Sequence, residues 1–121
     1  MSMAAPAAPA PEAAPMFIAM NRFRVAPGNE EAFEATWRNR ESHLHEVPGF
    51  RSFHLMKGPV RADHVLYASH STWESEAAFQ AWTRSEPFRL AHRNAGNAKP
   101  LYLGPPEFEG FAVLLTTTGQ G

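Results

Sequence analysis

The chain has no cysteine. That excludes a disulfide framework, a zinc–thiolate centre, an iron–sulfur cluster and a thiolate nucleophile. Charge of one sign is also missing: 11 Lys+Arg stand against 12 Asp+Glu in 121 residues. No global field is therefore available to attract nucleic acid or an anionic membrane. No run approaches the roughly 18–20 apolar residues of a membrane span. No Lys or Arg precedes Arg22 and no Leu/Val/Ile-rich stretch follows the start, so a secretory signal fits badly and the cytoplasm is the expected compartment. Neither a G-x-G-x-x-G fingerprint nor an H-E-x-x-H pair is present, which leaves no flavin, nicotinamide or zincin signature.

What remains is a composition 44% apolar and 19% charged, suited to a single globular domain of this length. Its 11 prolines are about twice the average share. Four of them (Pro6, Pro9, Pro11, Pro15) fall in the first 15 residues beside seven alanines. Proline at that density favours extended polyproline II over helix. Residues 1–15 are expected to be a flexible tail, with the domain running over 16–121.

From Met16 the periodicity places elements. Phe17, Ala19, Asn21, Phe23 and Val25 alternate with Ile18, Met20, Arg22 and Arg24, a strand stopped by Pro27-Gly28. Asn29 is placed to cap a helix in which Phe33, Trp37, Arg40 and Leu44 keep helical spacing until Pro48-Gly49. Strands are expected over about 50–57, ending at Gly58-Pro59, and over about 64–73. Ser75 and Ser85 cap two short helices, the second running to about Asn94 and Gly96. A last strand covers 107–115. The order β-α-β-β-α-β, with the second helix broken at Ser85, predicts a ferredoxin-like α+β fold: an antiparallel four-stranded sheet with helices on one face. The other face is left apolar and open, which a homodimer packed sheet to sheet would cover.

The six histidines are His43, His45, His54, His64, His70 and His92. His43 and His45, two apart on the predicted helix, point to different sides and cannot chelate together. His54 and His70 fall on adjacent strands and read as a polar cross-strand pair. Asn21 interrupts an apolar strand face. Its amide either bonds to nearby backbone or is a donor kept for a ligand in an apolar pocket. His92 follows Phe88 by one helical turn, with small residues around it. It suits a satisfied helical histidine as well as a ligand. Trp82 likewise suits a core as well as a site. Arg84, Arg89, Arg93 and Lys99 are either a solvated face or counter-charges for ligand carboxylates.

Taken together these residues carry a resemblance. The stretch F-Q-A-W-T-R-S-E-P-F-R-L-A-H from Phe79 to His92 closely resembles the haem-degrading monooxygenases of the IsdG type, within the antibiotic-biosynthesis-monooxygenase superfamily. The strand M-F-I-A-M-N-R-F, the turn H-E-V-P-G-F and the segment T-W-E-S-E-A-A-F are similar to the same family, so that the likeness covers about residues 16–115. The resemblance implies a dimeric α+β barrel of two ferredoxin-like subunits. It implies that His92 is the ligand to haem iron, through a neutral imidazole that protonation would disable. Asn21 would be a hydrogen-bond donor toward dioxygen on the opposite side. Trp82 would press on the macrocycle and keep it non-planar. Phe23 and Phe88 would wall the ring, and Arg89 or a neighbouring cation would meet the propionates. Haem would be both cofactor and substrate, dioxygen the oxidant and a separate reductase the electron source. The product would be an open-chain tetrapyrrole with release of iron. Rival readings of the same residues are a cofactor-independent quinol or polyketide monooxygenase, a haem-buffering protein and a structural dimerisation domain.

Overall fold

The structure, a computed structural model, describes residues 14–40, 43–92 and 101–119. In chain order the elements are β1 (Phe17–Val25), α1 (Glu30–Arg38), a 3-10 turn (Leu44–Glu46), β2 (Phe50–Val60), β3 (Val65–Trp73), α2 (Glu76–Thr83), α3 (Glu86–His92) and β4 (Glu107–Ala112). The four strands form one sheet in the order β2-β3-β1-β4, with every neighbouring pair antiparallel. This is the ferredoxin-like arrangement the periodicity predicts.

Alternation along the strands decides which residues face the helices. On β1 these are Phe17, Ala19, Phe23 and Val25, all buried, and on β3 they are Val65, Tyr67, Ser69, Ser71 and Trp73. Two apolar clusters result. One gathers Phe17, Ala19, Leu44, Trp73 and Phe79, and the other Phe23, Val25, Phe33, Val65 and Tyr67. Between them the sheet presents polar residues instead: Asn21 lies opposite Ser69 in the β1–β3 register. The core is thus interrupted at mid-sheet, and that gap floors the cavity described below.

Several boundaries differ from those the sequence suggests. Helix α1 stops at Arg38, capped by Asn39, so Arg40 lies beyond it. Leu44 is buried, but in the separate 3-10 turn, whose entry residue His43 has the left-handed φ of 55°. His43 and His45 therefore do not share a helix. Strand β2 continues through Gly58-Pro59 to Val60, with a register shift between Lys57 and Val60. Proline is tolerated there because β2 is an edge strand and the missing N–H breaks no ladder. Strand β4 ends at Ala112, although the Val113 N–H still donates to the Met16 carbonyl at 2.9 Å. The helix capped by Ser85 forms as expected: the Phe88 N–H donates to the Ser85 hydroxyl at 3.3 Å. Its expected end near Asn94 and Gly96, Arg93 and Lys99, and nearly all of the 1–15 tail lie outside the described residues. Among the described residues no helix is long and apolar enough to cross a membrane.

Candidate active site

A cavity of about 1220 Å³ opens between the sheet and the helices. Its floor is Ala19, Asn21 and Phe23 of β1 with Ser69 and Ser71 of β3, and its roof includes Trp82, Phe88 and His92. This volume suits a large ligand, since small-molecule sites run to about 1,000 Å³. The lining is mostly apolar and rich in aromatic rings, with polar groups interspersed.

His92 closes helix α3, where the chain geometry fixes its tautomer. Its Nδ1 lies 2.9 Å from the Phe88 carbonyl oxygen. A carbonyl only accepts, so Nδ1 carries the proton and Nε2 keeps its lone pair. The ring stacks on Phe88, with centroids 4.2 Å apart, and meets Trp82 edge-on at 6.1 Å. Burial holds its pKa below the usual imidazole value, opposed by the Phe88 hydrogen bond and assisted by the Arg40 guanidinium. At neutral pH the ring is neutral and able to ligate a metal.

Trp82 sits at the break between α2 and α3. It packs on Trp73 at 5.2 Å, on Phe79 at 6.0 Å and edge-on to Phe88 at 4.8 Å. Its indole N–H, like that of Trp37, is buried without a hydrogen-bond partner among the described residues. The Asn21 amide has no hydrogen-bond partner among the described residues, and the side chain lines the cavity.

Arg89 does not reach the cavity. It pairs with Glu86 one turn earlier, its Nε donating to a Glu86 carboxylate oxygen at 3.2 Å, and its side chain is 67% exposed. The spacing on α3 turns it to solvent while Phe88 and His92 turn inward. The cation in the cavity is Arg40, whose guanidinium lies 4.1 Å over the Trp37 ring. Burial lowers its pKa, and it has no ion-pair partner among the described residues. The sequence did carry a signal for it: a cation standing at the same spacing as Phe33 and Trp37. Tyr102, Phe53 and Phe108 line the cavity as well. Phe108 stacks on Phe79 at 5.7 Å, with planes 7° apart.

Among the described residues no group of three His, Asp or Glu side chains is placed to hold a metal. A bare divalent ion takes about four ligands, which His92 alone does not supply. A metal already chelated by a macrocycle needs only an axial imidazole. One neutral imidazole in an apolar cavity fits haem and does not fit a free ion.

Residues 16–94 match the family model described as antibiotic biosynthesis monooxygenase. The chain belongs to the antibiotic biosynthesis monooxygenase family. Within it, the chain is 33% identical over 105 residues to a haem oxygenase (mycobilin-producing) of Mycobacterium tuberculosis, covering 86% of this chain and 94% of that protein. It is 32% identical over 82 residues to a haem oxygenase (staphylobilin-producing) of Staphylococcus haemolyticus, covering 65% of this chain and 75% of the other. Among solved structures it is similar to the haem-degrader MhuD of M. tuberculosis with two haems bound in its active site. That match has a TM-score of 0.64 and 28% identity, covering 84% of this chain and 99% of MhuD. The antibiotic biosynthesis monooxygenase match spans β1 through α3, which carry Asn21, Trp82 and His92.

Proposed function

We propose that this family member is a haem-degrading monooxygenase that takes haem as substrate and cofactor, uses dioxygen and an external electron donor, and yields an open-chain tetrapyrrole and free iron. The observation that carries the reading is the His92 imidazole, neutral and with a free Nε2, in a large apolar cavity that offers no other metal ligand among the described residues. The relatives named as haem oxygenases support it.

When bound, haem supplies the iron that activates dioxygen and the carbon skeleton that is oxidised. The chain's residues do the rest. His92 would hold the haem iron through Nε2, the tautomer being fixed by the Phe88 carbonyl that accepts from Nδ1. Phe88 and Phe23 exclude water from the macrocycle faces. Trp82, edge-on to His92 near the helix break, would bear on the bound macrocycle and disfavour a flat ring. Asn21, on the sheet side of the cavity, would supply an amide donor to dioxygen. Arg40 would meet a propionate, since a half-buried guanidinium with no acid partner among the described residues suits a ligand carboxylate. A second copy covers the outer sheet face, where Phe111 is 45% exposed and Ile18, Met20 and Leu66 are half-buried. Each subunit then has its own site.

The test is incubation with haem, oxygen and a reductant in the presence of catalase, followed by mass spectrometry of the tetrapyrrole. A sharp Soret band that decays only with reductant and oxygen, giving an iron-free bilin-type product, is expected. A stable complex under those conditions identifies a haem-buffering protein instead. No Soret shift at all removes haem from the reading.

A further inference from the structure

On the face of the sheet turned toward the helices, one row of side chains crosses all four strands. Leu55 of β2 lies opposite Ser69 of β3, Ser69 opposite Asn21 of β1, and Asn21 opposite Phe108 of β4. Two polar residues are thus set side by side between two apolar ones. Ser69, Asn21 and Phe108 all line the cavity, and Ser69 is only 5% exposed. A buried hydroxyl costs stability unless it is hydrogen-bonded, and an apolar side chain there would join the two core clusters. The other described serines are all engaged. Ser52 shares a hydrogen bond with Thr72 at 2.7 Å, and Ser71 accepts from the Trp73 indole N–H at 2.9 Å. Ser75 accepts from the Ala78 N–H at 3.1 Å, and Ser85 donates to the Trp82 carbonyl at 2.6 Å. The Ser69 hydroxyl has no hydrogen-bond partner among the described residues, and neither has the Asn21 amide opposite it. What both face is the cavity.

We propose that Ser69 and Asn21 form one hydrogen-bonding station on the cavity floor for a small oxygen ligand: water in the haem-free protein, dioxygen when haem is bound. The dioxygen half rests on the haem reading, whereas the placement of the pair does not. Directly opposed residues on antiparallel strands are the closest cross-strand neighbours a sheet provides, and both side chains are short, so hydroxyl and amide adjoin. A water held in an apolar cavity needs about two to four polar partners, and this pair supplies the first two. Leu55 and Phe108, at the ends of the row, offer it no alternative. Dioxygen only accepts, and a serine hydroxyl can donate as an amide can. Two donors fixed on different strands hold such a ligand in one orientation, where a single amide leaves it free to swing. Ser69 thereby acts on the small ligand and not on the macrocycle.

The test loads the full chain with haem and uses fluoride and carbon monoxide as probes, comparing wild type with Ser69→Ala. Fluoride on ferric haem accepts hydrogen bonds, so its affinity should fall about tenfold with the loss of one bond to a charged acceptor. The C–O stretching frequency of the ferrous carbon monoxide complex should rise as its surroundings become less polar. Haem affinity and melting temperature of the same variant report packing, and a serine with a purely structural role would move those while leaving both probes alone. Wild-type fluoride affinity and C–O frequency in Ser69→Ala overturn the proposal. Should the chain take up no haem, the haem reading falls and a crystal structure of the haem-free protein decides. An ordered water within hydrogen-bond distance of both Ser69 and Asn21, lost in Ser69→Ala, upholds the station. A Ser69 hydroxyl bonded to neighbouring backbone, with no such water, overturns it.

Discussion

The Nδ1 of His92 donates to the carbonyl of Phe88, the residue one helical turn earlier on the same short helix, at 2.9 Å. This contact commits the ring to the tautomer with a free Nε2 and aims it into the cavity. Burial depresses the pKa of the same ring. A ligand nitrogen must be unprotonated, so haem affinity should persist somewhat below the ordinary imidazole pKa of about 6.5 and fall only at lower pH. The unliganded protein carries the matching signature. Below about pH 6.5 the unfolded chain binds a proton that the folded chain resists, so stability falls as pH drops toward the folded-state pKa. Haem titrations and thermal melts between pH 5 and 8 check both, and His92→Ala should abolish axial ligation and flatten its share of the stability slope.

Arg40 and Arg89 offer a direct contrast. Arg40 lines the cavity with no acid partner among the described residues, whereas Arg89 is exposed and paired with Glu86. Arg40→Gln should weaken haem binding by about tenfold or more, since a charge-assisted hydrogen bond in a half-buried site is worth roughly 1.5–3 kcal/mol. Arg89→Gln should leave affinity within error, as exposed pairs contribute little. Equal losses from both substitutions would place the propionate contact elsewhere.

Trp82 combines a packing role with an unsatisfied donor, and two substitutions separate them. Trp82→Ala empties the space between Trp73, Phe79 and Phe88 and should cost about 3–5 kcal/mol in chemical denaturation. Trp82→Phe removes the orphaned N–H and keeps most of the packing. The unliganded Trp82→Phe chain should be nearly as stable as the parent, because a buried donor without a partner costs about 1–3 kcal/mol. With less bulk at the helix break, its bound haem should be more planar, read from the resonance Raman spectrum. A spectrum and a product identical to wild type would remove Trp82 from the distorting role.

The sequence carried the fold legibly because period-two alternation on β1 and β3 survives almost unbroken from Phe17 to Val25 and from Val65 to Trp73. It misled where tertiary packing overrides local pattern. Leu44 keeps helical spacing with Phe33 and Trp37, yet α1 ends at Arg38 and Leu44 reaches the core from a separate turn. Gly58-Pro59 reads as a turn, but an edge strand absorbs both residues. Within the site, Asn21, Trp82, His92, Phe23 and Phe88 all line one cavity, because strand and helix periods fixed their facing. Arg89 stands outside the cavity lining, paired with Glu86; charge near a helix does not reveal in sequence which way it points. Arg40, Tyr102 and Phe53 arrive from three separate segments, and only the fold brings them together.

Tyr67 is buried at the base of the second core cluster, and its hydroxyl donates to the Glu34 carboxylate, which also lies 3.6 Å from the Lys57 amine. Burial, and then the Glu34 hydrogen bond, raise the phenol pKa well above its ordinary value, while the same bond lowers that of Glu34. A raised folded-state pKa means that the stabilisation is fully present below the unfolded phenol pKa of about 10 and is lost as pH rises beyond it. Tyr67→Phe should reduce stability at neutral pH and blunt the alkaline decline, as read by denaturant melts at pH 7 and pH 11. An unchanged alkaline slope would assign that decline to other groups.

Gly49 closes the turn into β2 at φ +83°, a left-handed conformation that side chains rarely adopt. A Cβ built there would lie 2.5 Å from the Cβ of Ala78 on α2. Its carbonyl accepts from the Glu74 N–H at 2.8 Å, tying the turn to the segment that caps α2. Gly49→Ala therefore meets backbone strain of roughly 1–3 kcal/mol and a clash with no flexible side chain to yield. The substitution should shift α2 and with it Phe79 and Trp82, lowering both the melting temperature and haem affinity. Gly28 has a similar φ of +92° but nothing within 4 Å, so Gly28→Ala should show the strain without the loss of affinity. Thermal melts and haem titrations of the two variants side by side separate the clash from the conformation. Equal haem affinity in both would mean that α2 does not move.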